Sequence, residues 1–132
     1  MKKIYQYYQP NKKDIKDNHG DCVLRAICKV TDLDWLEVFD GLCRHAREAQ
    51  CLPNDPDVYE PFLKDQGFEY HSLPCRPKMM TVKQFRKDFK GTAICNVKTG
   101  YSSHFSAVSG GQIFDTWDTS DCKIFGYWSR CF

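Results

Sequence analysis

Up to about residue 90, apolar residues recur mostly at helical spacing; beyond it they recur at strand spacing. Val23, Ala26, Ile27 and Val30 repeat at intervals of three and four, which predicts a helix opening at Asp21 or Cys22 and running to about Val30. Asp34 is placed to cap a second helix whose buried stripe would be Trp35, Val38, Phe39, Leu42 and Ala46. Pro53 and Pro56 punctuate a loop over 51–57. A short third helix should follow over about 57–66, with Gly67 suited to the position just past its end. Residues 68–73 alternate like a strand. Thr81 and Gln84 form a capping-box pattern opening a helix through Phe85 and Phe89 that should stop at Gly91. Residues 92–97 and 104–108 read as strands, Gly110-Gly111 as a tight hairpin turn, 113–117 as the return strand and 123–128 as a last strand. Tyr5, Tyr7 and Tyr8 suggest one more short strand, followed by a polar loop up to Gly20. The pattern predicts an α+β fold with helices first and an antiparallel sheet second.

Composition narrows this to a single domain over residues 1–132, long enough to bury a core. Nine Phe, seven Tyr and three Trp supply large anchors for it. Nineteen basic residues against 17 acidic ones leave a net charge of +2, which argues against a dedicated nucleic-acid binder. The stripe of Lys83, Arg86, Lys87 and Lys90 then reads as the solvated face of an amphipathic helix. No apolar run reaches the ~18 residues of a membrane span, and no signal-peptide pattern opens the chain. A cytoplasmic protein without membrane contact is the expectation. Eight cysteines invite a disulfide reading, yet several lie inside apolar patterns, where Cys behaves as a small hydrophobe. Reduced thiols are therefore expected. There is no C-x-x-C pair, and no metal or cofactor is expected.

Cys22 follows a polar loop and opens a predicted helix. Exposed N–H groups at such an end favour a thiolate, the nucleophilic form of Cys. His104 begins a strand in the opposite half of the chain, after the small polar loop 99–103. A tight turn would set Ser109 opposite Gln112 and Ser106 opposite Asp115, which makes Asp115 a near-diagonal neighbour of His104. Asp118 is the competing carboxylate. Either acid would hold the imidazole in one tautomer and stabilise its charged form. His19 and Trp117 are candidates to line the cleft. His45 and His71 read as surface histidines.

This order of residues resembles the papain-like cysteine peptidases: a Cys at a helix start, a late His on a strand and an acid or amide on the next strand. Asp115-Thr116-Trp117 resembles their Asn-Ser-Trp, with the Asp also used by relatives that cleave bacteriocin leaders. The segments 20–27 and 111–118 look like small bacterial and phage proteins of that superfamily, and the resemblance spans residues 18 to 128 or so. It implies a minimal papain-like fold, with N-terminal helices on a twisted C-terminal sheet. It also implies a Cys22–His104–Asp115 triad acting on a protein or peptide through an acyl-enzyme. Lys16 stands where these enzymes usually place an oxyanion-hole Gln, which leaves Asn18 as the nearest amide for that task. The alternative function is a catalytically weak scaffold of the same fold that binds a host protein.

Overall fold

The computed structural model describes residues 3–13, 21–75, 78–100 and 102–130. Among them are four helices and a six-stranded mixed sheet. The elements are β1 (Tyr5–Tyr7), α1 (Cys22–Thr31), α2 (Trp35–Ala49), α3 (Pro56–Asp65), β2 (Phe68–Ser72), α4 (Val82–Asp88), β3 (Thr92–Thr99), β4 (Ser102–Ser109), β5 (Gln112–Asp115) and β6 (Ile124–Arg130). The spatial strand order is β1-β5-β4-β3-β6-β2.

Local chemistry accounts for most of the boundaries. Asp34 and Glu37 form a reciprocal capping box on α2, and Thr81 and Gln84 form one on α4. Asp55 caps α3, and Pro56 occupies the first turn, where its missing N–H costs nothing. Gly67, at φ +88°, turns the chain from α3 into β2. The turn between β4 and β5 is the two-residue Gly110-Gly111 link, both at positive φ, and Ser109 pairs with Gln112 as the sequence register requires.

The sheet is buried on both faces. Ile94, Phe105, Ala107 and Trp128 join Val23, Leu24, Ala26, Ile27, Val38, Leu42, Val58 and Leu63 in one core cluster. Ala93, Cys95, Val97, Val108, Ile113 and Ile124 pack with Val82 and Phe85 of α4 in a second. The near-continuous apolar run at 93–95 has this cause: both faces of β3 are covered.

Three expectations need correction. The sheet is not wholly antiparallel, because β1 runs parallel to β5 with Tyr5 opposite Ile113 and Tyr7 opposite Asp115. Phe39 is not buried but 36% exposed, stacked on Trp35, and Gly41 takes its place in the core-facing stripe, where α2 meets Phe62 of α3. His45 is not a free surface histidine. Its Nδ1 lies 3.0 Å from the Gly41 carbonyl and its Nε2 lies 3.0 Å from Asp65, tying α2 to the end of α3.

The seven described cysteines form no disulfide with one another. Cys28 and Cys95 are core residues. No helix among the described residues is long and apolar enough to cross a membrane.

Candidate active site

Cys22 is the first residue of α1, and Asp21 is the residue before the helix. Asp21 makes no side-chain cap bond to the helix; its carboxylate accepts instead from Arg25 one turn on. The first-turn N–H groups of α1 are therefore not capped by that side chain. α1 packs along β4, and this contact brings the start of the helix to the start of the strand.

The His104 ring and the Phe105 backbone N–H both act on the Cys22 sulfur and favour its thiolate. His104 Nε2 lies 2.7 Å from Asp115 Oδ2. With Nε2 turned to Asp115, the ring nitrogen left to face Cys22 is Nδ1. Asp115 is 1% exposed, and its other oxygen, Oδ1, accepts from Arg25 at 3.0 Å and from the Thr116 N–H at 2.7 Å. The Asp115 backbone is fixed as well. Its carbonyl accepts from the Tyr8 N–H at 2.8 Å and from the Tyr5 hydroxyl at 3.2 Å, so β1 clamps the end of β5.

The charges follow from these contacts. Burial opposes a thiolate at Cys22, but the bonds from His104 and Phe105 and the nearby charges of His104 and Arg25 outweigh it, and the pKa falls below the ordinary thiol value. Burial likewise opposes an imidazolium at His104. The hydrogen bonds to Asp115 and Cys22 prevail, and the pKa rises to about 9. Asp115 stays below the usual carboxylate range because its bond to His104, the charge of that ring, the Thr116 N–H and Arg25 together overcome its burial. These shifts favour a thiolate–imidazolium pair backed by a carboxylate. Elsewhere burial pushes thiols the other way, Cys28 to about 12.

Aromatic rings flank the pair. Trp117 packs on His104 with ring centroids 5.2 Å apart and remains 40% exposed. Tyr59 of α3 meets Phe105 edge to face at 4.9 Å, and burial raises its phenol to about 12. Asp118, the alternative acid, accepts from the Ser120 N–H in the loop after β5, whereas Asp115 is the acid bonded to His104. Ser106 and Thr119 share a buried hydrogen bond of 2.9 Å that ties this loop to β4. Asn18 and His19 lie outside the described residues.

Arg25 and the Phe105 N–H are absent from the sequence reading. The Phe105 donor is backbone and carries no side-chain signal. Arg25 did carry one. It is the only charged side chain between Val23 and Cys28, on a helix apolar nearly all round, four residues after Asp21. Outside this site, Cys51, Asp55 and Asp57 bring ligand atoms within 4.8 Å of one another at the surface, but Asp55 is already engaged in capping α3.

Comparison with known proteins adds no relative: no family model matches the chain, and neither does any curated protein or solved structure.

Proposed function

We propose that this protein is a cysteine-dependent hydrolase with a papain-like arrangement, a peptidase or isopeptidase acting on a protein or peptide. The observation that carries the reading is the His104–Asp115 hydrogen bond with Cys22, the first residue of α1, set beside the His104 ring. In this mechanism His104 holds the proton of the Cys22 thiol. The thiolate sulfur attacks the carbonyl carbon of the scissile amide, and the carbonyl electron pair moves to oxygen. The Cys22 N–H, in the first turn of α1, donates to that oxyanion, and Asn18 is the candidate second donor. As the tetrahedral centre collapses, His104 gives its proton to the leaving amine, the C–N bond breaks and a thioester remains on Cys22. His104 then takes a proton from water as the hydroxide attacks the thioester carbonyl, the C–S bond breaks, and the carboxylic acid leaves with Cys22 restored as the thiolate beside the His104 imidazolium. Asp115 keeps Nε2 of the ring protonated and Nδ1 facing the sulfur throughout.

The test is alkylation by iodoacetamide followed thiol by thiol by mass spectrometry from pH 4 to 9, on the wild type and on His104→Ala. Cys22 should react at least tenfold faster than Cys43 or Cys75 at pH 5, and His104→Ala should abolish that lead. Incubation with p-nitrophenyl acetate should leave an acetyl group on Cys22 and on no other thiol. If folded wild-type protein shows no lead for Cys22 at acidic pH, the hydrolase reading fails.

A further inference from the structure

Arg25 is 4% exposed and charged. Burying a guanidinium is costly unless opposite charge and hydrogen bonds compensate. Here Nη1 bonds to Asp21 and Nη2 lies 3.0 Å from Asp115 Oδ1, so one fork joins the residue before the helix to the acid behind His104. The Arg25 backbone N–H also donates to the Asp21 carbonyl at 2.9 Å, which fixes the near end of the link.

We infer that Arg25 is the positioning residue of this site: it occupies Asp115 Oδ1 so that Oδ2 alone faces His104, and it holds the thiolate–imidazolium pair together at low pH. The inference rests on the hydrolase reading of Cys22 and adds to it a residue that touches neither substrate nor sulfur. The geometry accounts for the first half. A carboxylate with a free oxygen can turn about its last torsion, whereas Arg25 and Thr116 N–H together leave Asp115 one orientation. Charge accounts for the second. With Cys22 as thiolate, the cluster holds three negative groups (Cys22, Asp21, Asp115) and two positive ones (His104, Arg25). Without Arg25 three negatives face one positive, and the thiolate is the group that most readily gives up its charge by taking a proton.

Arg25→Gln removes both the fork and the charge. Arg25→Lys keeps the charge but offers a single point of contact instead of a fork. Two readouts apply to each variant: the ratio of Cys22 alkylation rates at pH 5 and pH 9, and the downfield proton NMR signal of His104 Nε2–H on Asp115. Arg25→Gln should lower the rate ratio about tenfold, the equivalent of one pKa unit, and broaden the NMR signal away. Arg25→Lys should lower the ratio less, by about threefold, and still lose the signal. Wild-type ratio and signal in both folded variants would overturn the inference while leaving the hydrolase reading intact. No lead for Cys22 in the wild type would instead sink the hydrolase reading. Thermal melts report folding. If neither Arg25 variant folds, Asp21→Asn decides, since it releases one end of the fork and keeps Arg25: a broadened His104 signal supports the positioning role, and an unchanged one overturns it.

Discussion

His104 and Cys22 pull the pH dependence of stability in opposite directions. The folded pKa of His104, about 9, lies above its ordinary 6.5. Taken alone, it stabilises the fold fully below pH 6.5, and that contribution is lost as pH rises through about 9. Cys22 is depressed below its ordinary 9.0. Its contribution is complete above pH 9.0 and is lost as pH falls through its folded value. As pH rises toward 9 the two trends oppose each other, because the folded protein keeps on the imidazole the proton it removes from the thiol. Cys22→Ser deletes one side of this balance. His104 keeps its bond to Asp115 but loses the thiolate, so its titration midpoint should fall below the wild-type value of about 9 and stay above 6.5. The urea midpoint of the variant should then drop between pH 6.5 and 9. NMR titration of the His104 ring and urea unfolding at the two pH values check both, and a midpoint at or above the wild-type value would contradict the account. The register set by the tight Gly110-Gly111 turn made the His104–Asp115 contact legible. The third partner, Arg25, was not singled out although it is the one charge in an apolar stretch, because a charged residue in a helix is ordinarily solvated.

Helices α1, α2 and α4 and the β4–β5 hairpin were legible because each is fixed by local chemistry: apolar periodicity, a capping residue or a paired-glycine turn. β1 has three residues of mixed polarity, and nothing local says that it runs parallel to a strand more than a hundred residues away. The error over Phe39 has a related cause. Hydrophobic spacing marked a large aromatic as core, whereas α2 and α3 approach so closely that glycine is the residue that fits. A Cβ on Gly41 would sit 2.5 Å from Cε2 of Phe62, a buried ring with little room to retreat. Gly41→Ala should therefore destabilise the protein although alanine is the better helix former. Overpacking costs ~1–3 kcal/mol, against a propensity gain of ~1 kcal/mol, so a net loss of about 1 kcal/mol is expected by urea unfolding. Adding Phe62→Leu should return part of it. A Gly41→Ala variant more stable than the wild type would mean that α3 moves freely on α2.

The site belongs to no single element. α1 supplies Cys22 and Arg25, β4 supplies His104, β5 supplies Asp115, and Tyr5 of β1 and Tyr8 just after it hold the end of β5. These pieces come from opposite ends of the chain and meet only through the sheet order, which seats β5 between β1 and β4. Closing such long loops has an entropic cost, which the two cores on either face of the sheet offset together. The special reactivity expected of Cys22 should then be a property of the whole fold and vanish with it. In a urea series at pH 5, the alkylation lead of Cys22 over Cys43 and Cys75 should disappear at the midpoint reported by tryptophan fluorescence, for which the buried Trp128 is a suitable probe. Coincident midpoints are expected, because the bonds that depress the Cys22 pKa are anchored in the same packed layers that bury Trp128. Loss of the lead at clearly lower urea would separate the two. The start of α1 and the edge formed by β1 and β5 would then open as a local unit, and the rigidity argued for Asp115 would fail while the fold survived.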